Sequence, residues 1–212
     1  MNQRKTELII EGLSGLYPDA KAALLFEDAY QLLVAVILSA QCTDERVNRV
    51  TAELFKVAST PEEMVKIPQE TLEKYIFSCG LYKTKAEHII SASKDIIDKF
   101  GGKVPSDLES LMTLAGVGRK TANVVYAVGF GGNAIAVDTH VFRVSARLGL
   151  SKGKNPLETE KALMKAIPED RWSAMHHCLI WHGRKVCHSR NPECDKCGVK
   201  ELCEYKDKKT KV

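Results

Sequence analysis

Three groups of residues in this chain have types and spacings that could do chemistry. The densest is a set of four cysteines, Cys187, Cys194, Cys197 and Cys203, separated by six, two and five residues. In a chain read as cytosolic, four thiolates in one short loop, 187–203, suit a metal ion or an iron-sulfur centre better than disulfides. A zinc ribbon would show two C-x-x-C knuckles joined by a longer arm, and only one is present here, so a four-iron cluster leads and zinc stays the alternative. Cys42, Cys79 and Cys178 are scattered and read as small core residues. His176 and His177 read as packing or surface residues, because four cysteines already supply a full ligand set.

The second group is a turn. Ser106 to Leu114 reads as a short helix, Gly116-Val117-Gly118 as a tight connection, and Arg119 onward as a second helix. Two glycines leave amides uncovered at a helix N-terminus, where they and the helix dipole can grip a phosphate without reading any sequence. A plain turn between packed helices is the alternative. Lys120 falls in the first turn of the second helix, where the dipole, and any burial, disfavour an ammonium and lower the cost of a free, nucleophilic amine. A surface lysine touching phosphate or water is the bland reading of the same residue.

Asp138 is the third candidate. It follows a short apolar segment and precedes the helical pattern Val141, Val144, Leu148. That is the position of an N-cap, and an N-cap carboxylate is better suited to stabilising developing positive charge than to accepting a proton. A helix over 119–129 rises about 15 Å, and an extended 132–138 could return about 20 Å. The distances allow Asp138 to meet Lys120 without forcing it.

These candidates need a helical frame, and the sequence supplies one. The chain has 212 residues, 44% hydrophobic and 27% charged, enough for one large or two small globular domains and inconsistent with wholesale disorder. The longest apolar run, Leu32 to Leu38, is too short to span a bilayer, and the N-terminus lacks a signal-peptide apolar segment, so the chain reads as cytoplasmic. Thr60-Pro61-Glu62-Glu63, Ser106-Asp107-Leu108-Glu109 and Asn155-Pro156-Leu157-Glu158 each set a capping residue three before a glutamate and predict helix starts. Ala86, Ile89, Ile90, Ser93, Ile97 and Phe100 recur at helical spacing and stop at Gly101-Gly102. Further helices are expected near 7–15, 30–39, 44–57, 70–78, 119–129, 139–149 and 170–184. Only Ala134 to Val137 looks extended, and one such segment cannot build a sheet. The fold class is all-α. Three glycines within Gly129 to Asn133 mark a boundary between two helical lobes, and two lobes meeting there would form a cleft.

Charge is permissive rather than decisive. The net charge of +4 allows a polyanionic partner without announcing one. Nine basic against five acidic residues from Arg184 onward place the whole excess at the C-terminal end, whose Lys-rich last residues read as a solvated, poorly ordered tail. Arg184, Lys185, Arg190 and Lys196 around the cysteines could present a loop to phosphates, with a solvated charged surface as the alternative.

Taken together, Leu114-Ala115-Gly116-Val117-Gly118-Arg119-Lys120-Thr121-Ala122, then Val137-Asp138-Thr139-His140-Val141-Phe142-Arg143, then the cysteine loop, resemble the bacterial endonuclease III family. The resemblance extends to Leu38-Ser39-Ala40-Gln41 and to Cys79-Gly80-Leu81-Tyr82-Lys83-Thr84-Lys85-Ala86, and so covers nearly the whole chain. It implies a helix-hairpin-helix DNA glycosylase with an abasic-site lyase activity, acting on oxidised or ring-damaged pyrimidines in double-stranded DNA as a monomer. It implies a six-helix domain over 22–132 with the hairpin at about 106–129, and a second domain from 1–21 plus 133–212. It also implies a [4Fe-4S] cluster on Cys187, Cys194, Cys197 and Cys203, and a monovalent cation on the carbonyls of Met112, Leu114 and Val117.

By the same resemblance, Lys120 is the nucleophile that forms an imine with the sugar, and Asp138 stabilises the cationic sugar and assists the amine. Gln41 and Leu81 match the gap-filling and wedging positions. Gly116, Val117, Gly118, Arg119, His140, Arg143, Lys185 and Arg190 are the remaining expected DNA contacts. One departure is visible: Ala115 stands where the family usually carries proline, which relaxes a preset φ by up to about 1 kcal/mol without removing the amides. An adenine-mismatch glycosylase would need a carboxylate near Ala35, where this chain is wholly apolar. A protein that only binds DNA would leave Lys120 and Asp138 as a surface charge and a cap.

Overall fold

The computed structural model describes residues 3–206, so the Lys-rich end expected as a solvated tail lies, from residue 207 on, outside the described residues. The first helix is α1 (Gln3–Leu16), followed by α2 (Ala29–Ser39), α3 (Asp44–Leu54), α4 (Pro61–Met64), α5 (Gln69–Ile76), α6 (Tyr82–Phe100), α7 (Leu108–Leu111) and α8 (Arg119–Val124). The chain then runs through α9 (Thr139–Leu148), α10 (Pro156–Ala166) and α11 (Trp172–Lys185). No strand occurs among the described residues, and Ala134–Val137 is buried without regular structure.

The helix starts follow from local chemistry. Thr60 and Glu63 form a reciprocal capping box at α4, and the Asn155 side chain accepts from the Glu158 amide at α10. Both satisfy amides that a helix leaves without internal partners. At α7 the cap differs from the sequence expectation. Asp107, not Ser106, accepts from the Ser110 amide at 2.8 Å, since a carboxylate one residue on reaches the same orphan donors. The helix expected over 119–129 also changes character: α8 stops at Val124 and a π-helical turn carries Val125–Gly129. The Gly132 amide donates to the Tyr126 carbonyl there at 3.0 Å.

Chain contacts divide the molecule into two units. One takes Ala23–Gly132; the other takes the chain up to Ala22 together with the chain from Asn133 on. In the first, Leu32 to Leu38 are each no more than 5% exposed, so α2 is buried on every side. A helix apolar all round is a core helix, and no described helix is long and apolar enough to cross a membrane. Leu72, Ile76, Ile89, Ile96 and Leu111, from α5, α6 and α7, belong to the same core. In the second unit α9 packs on α11, and α1 also packs on α11, over a core containing Ile9, Leu13, Val141, Val144, Met175 and Leu179. Full burial of each such side chain contributes about 1.5–3 kcal/mol. Gly183 permits the close approach of α9, because a Cβ there would stand 3.0 Å from His140 Cβ.

Candidate nucleic-acid interface and cysteine centre

The hairpin is built from a short capped helix, an anchored turn and an open helix start. α7 ends at Leu111, earlier than the helix expected to Leu114, and three-residue turns close behind it, from the Thr113 amide to Ser110 and from the Leu114 amide to Leu111. Leu114 and Val117 are buried and fix the turn to the core. The two glycines do different work. Gly116 has φ +74, and a Cβ there would lie 2.8 Å from His88 Cβ, so the fold itself demands glycine. Gly118 has φ −83 and a Cβ there would meet nothing within 4 Å, so the fold does not. The Val117 amide is committed to the Leu114 carbonyl at 3.1 Å. No side chain caps the start of α8, where Arg119 and Lys120 are the first two residues and both are exposed. Burial, one of two influences expected on the Lys120 amine, is therefore not present.

Gln41 and Leu81 belong to the same unit and share an unusual backbone. Both are exposed, Leu81 at 61%, and both adopt left-handed conformations, with φ of 53 and 60. Such a conformation costs a non-glycine residue on the order of 1–2 kcal/mol and persists only where the surroundings over-determine it. The segment around Ala35 is buried and apolar and carries no carboxylate.

In the other unit Asp138 caps α9. Its Oδ1 accepts from the amides of His140 at 2.8 Å and Val141 at 2.7 Å, and Oδ2 lies 3.1 Å from His140 Nδ1. The carboxylate is therefore aimed by three contacts and retains 17% side-chain exposure. That arrangement suits an electrostatic partner for positive charge better than a proton acceptor. His140, expected at DNA, holds Asp138.

All four clustered cysteines line one cavity of about 360 Å³ including its mouth, shared with Arg147, His182, Val186 and Tyr205. Among the described residues no three His, Cys, Asp or Glu side chains converge on a single metal-ion position. Four thiols lining one space supply the donor set that a metal centre takes, whether a [4Fe-4S] cluster or a zinc ion. Arg147 frames the mouth of this space. It donates to Cys187 Sγ at 3.3 Å, to the His188 carbonyl at 2.7 Å and to the Ser189 carbonyl at 3.1 Å, and its guanidinium stacks 4.3 Å from the Tyr205 ring. His182 is 1% exposed, and burial pushes its imidazole down to about 4. Tyr17 Oη lies 3.0 Å from its Nδ1 and Cys197 Sγ 3.6 Å from its Nε2. A neutral imidazole accepts at one nitrogen and donates at the other. With Tyr17 donating to Nδ1, the Nε2–H is aimed at the sulfur.

Several basic residues near the loop have defined contacts. Arg143 donates to the carbonyls of Cys187, Gly183 and Thr139, which ties the cysteine loop to α9 and α11. Lys185 lies over the Trp181 ring at 4.3 Å, and Lys196 pairs with Glu193 at 2.6 Å. Arg184 and Arg190 are exposed. Sequence reasoning missed Lys85, Arg147 and His182. For Lys85 and His182 a signal existed: each is a polar residue at helical spacing within an apolar stripe, beside Ile89 and Ile96 on α6, or Met175 and Cys178 on α11.

Comparison with known proteins places this architecture in a class. Residues 34–169 match the model of the HhH-GPD superfamily of base excision DNA repair proteins. The chain is 46% identical to the endonuclease III of Bacillus subtilis (strain 168) over 212 residues, covering all of this chain and 97% of that one. It is 44% identical to the endonuclease III of Escherichia coli (strain K12) over 208 residues, covering 98% and 99%. A solved structure of a trapped endonuclease III–DNA covalent intermediate superposes with a TM-score of 0.92 at 46% identity, over 96% of each chain. The chain belongs to the endonuclease III family within that superfamily.

Proposed function

We propose that Lys120 and Asp138 carry the reaction of this chain. As a member of the endonuclease III family, the protein is a base-excision-repair DNA glycosylase with an abasic-site lyase activity, and DNA is its substrate. The lesions assigned to it are oxidised or ring-damaged pyrimidines. The damaged nucleotide must leave the stack before its sugar can be attacked. Leu81 wedges the duplex open and Gln41 fills the gap. The amides of Gly116 and Gly118 grip a phosphate, with Arg119, His140, Arg143, Lys185 and Arg190 as further contacts. The carbonyls of Met112, Leu114 and Val117 are assigned a monovalent cation in the same turn.

Nζ of Lys120, as the free amine, adds to C1′. The bond from C1′ to the base breaks, its electron pair leaves on the base, and the base takes up a proton. Ring opening and loss of the amine proton give an imine between Nζ and C1′. Asp138 stabilises the positive charge that develops on the sugar. The imine acidifies the C2′ proton, and its removal expels the 3′ phosphate oxygen, cutting the strand by β-elimination. Water then hydrolyses the imine and frees Lys120. Cys187, Cys194, Cys197 and Cys203 would hold a [4Fe-4S] cluster, which when bound supplies a structural crosslink to the loop.

The observation that carries this reading is Lys120 itself, exposed at the second position of a helix that no side chain caps, directly after Gly118. Borohydride reduction of the protein on a duplex containing an abasic site tests it. Wild type is expected to form a covalent adduct that Lys120→Gln loses, and absence of an adduct with wild type contradicts the reading.

A further inference from the structure

Lys85 is a buried charge that the reaction above does not use. It is 4% exposed, and burial pulls its ammonium below the usual lysine range. Removing an ammonium from water costs several kcal/mol unless its donors are met. Here Nζ donates to the Leu38 carbonyl at 2.9 Å and to the Ala40 carbonyl at 2.6 Å. An apolar side chain of similar length would fill the same space with less desolvation, so packing alone does not account for a lysine.

The two acceptors sit at the C-terminal end of α2, where carbonyls lack intrahelical partners and the helix dipole favours a cation. The next residue is Gln41, in its left-handed conformation, and the turn closes with the Cys42 amide donating to the Ser39 carbonyl at 3.1 Å. On its other side, the Lys85 amide donates to the carbonyl of Leu81 at 3.0 Å. Leu81 is the other non-glycine residue of this unit with positive φ among the described residues. One residue thus bonds through its side chain to the carbonyl immediately before one left-handed residue, and through its backbone to the carbonyl of the other. Arg46 Nη1, donating to the Ser78 carbonyl at 3.2 Å, steadies the approach to Leu81 from α3.

We propose that Lys85 is a positioning residue that locks Gln41 and Leu81 into one rigid pair for opening the duplex. The inference rests on the roles assigned above to those two side chains. Extruding a nucleotide costs a few kcal/mol of stacking and pairing, and a probe ordered in advance spends none of its binding energy on ordering itself. Lys85 is therefore needed to extrude a damaged nucleotide from a duplex and dispensable for β-elimination on one that is already unpaired.

Lys85→Met in the cluster-loaded protein keeps the aliphatic stem and removes the donors. Single-turnover excision of thymine glycol from a duplex is expected to fall at least about tenfold, the scale of a positioning defect. The fluorescence rise of a 2-aminopurine placed opposite the lesion is expected to fall with it. Elimination on a single-stranded oligonucleotide with an abasic site is expected to stay within about twofold of wild type, as it requires no extrusion. An unchanged duplex rate, or equal loss on both substrates, overturns the proposal. Wild type inactive on both substrates would instead sink the glycosylase and lyase reading itself. Should Lys85→Met fail to fold cooperatively, hydrogen exchange on wild type decides. A Cys42 amide protected as well as the interior of α2 supports the lock, and one exchanging like a frayed end overturns it.

Discussion

The two units hold their working residues by different means. In the Ala23–Gly132 unit, Gln41, Leu81 and Lys120 are exposed, and order lies in the backbone beneath them: two left-handed residues tied to Lys85, and a turn anchored by Leu114 and Val117. In the other unit the side chains themselves are bound. Asp138 takes two amides on one oxygen, Arg147 spreads over a sulfur and two carbonyls, and His182 bridges Tyr17 and Cys197. On the roles proposed above, groups assigned to enter a partner are aimed by the main chain, while groups assigned to hold a charge or a cofactor are aimed by hydrogen bonds. Substitutions should separate the two kinds of placement.

The largest effect is expected in the bonded unit. Cys197→Ser should abolish the visible absorption and the four irons of one cluster per chain, and lower the melting temperature sharply, because a bound centre's free energy is also folding free energy. Iron content and calorimetry read it, and stoichiometric zinc without colour in anaerobically purified wild type would overturn the cluster. Asp138→Asn is expected to separate placement from charge. Asparagine caps helices about as well as aspartate, so the melting temperature should hold while turnover falls by about 10²–10³. Equal loss of stability and turnover would make Asp138 a cap and nothing more.

The hairpin glycines sharpen the contrast within the other unit. Gly116→Ala should destabilise by about 1–2 kcal/mol from its left-handed backbone alone, seen as a lower denaturant midpoint. Gly118→Ala should leave stability unchanged or raise it by about 0.4–1 kcal/mol, yet weaken DNA binding measured by anisotropy, because its missing Cβ faces open space that the phosphate is assigned. Unchanged affinity in Gly118→Ala would return the turn to a purely structural role. The smallest effect concerns pH. Burial raises the Tyr30 phenol well above its ordinary value, although its 2.6 Å hydrogen bond with Ser93 acts the other way. Above about pH 10 the unfolded chain loses that proton and the folded one keeps it, so Tyr30 alone should contribute a fall in stability of about 1.4 kcal/mol per pH unit, by which Tyr30→Phe should flatten the slope.

The helical frame was legible because its signals are local. Thr60 and Asn155 cap within three residues of themselves, and the stripe from Ala86 to Phe100 lies on one element. Asp107 in place of Ser106 was a near miss of the same kind, since neighbouring residues compete for the same orphan amides. The candidate site was legible where motif residues stand in sequence, as from Gly116 to Lys120 and from Asp138 to Arg143. Its supports were not. The bond from Lys85 to Leu38 spans 47 residues and that between Tyr17 and His182 spans 165, and no local pattern specifies a partner so distant. The π-helical turn at Val125–Gly129 was hidden for a related reason: its sequence is compatible with an ordinary helix, and the closing bond comes from Gly132 beyond its end.

The central claim is that the Lys120 amine becomes bonded to deoxyribose. Peptide mapping by mass spectrometry of the borohydride-reduced adduct tests it most directly. The expected result is a sugar remnant on the peptide carrying Lys120 and on no other; the remnant on a different lysine or on the N-terminal amine would contradict the mechanism.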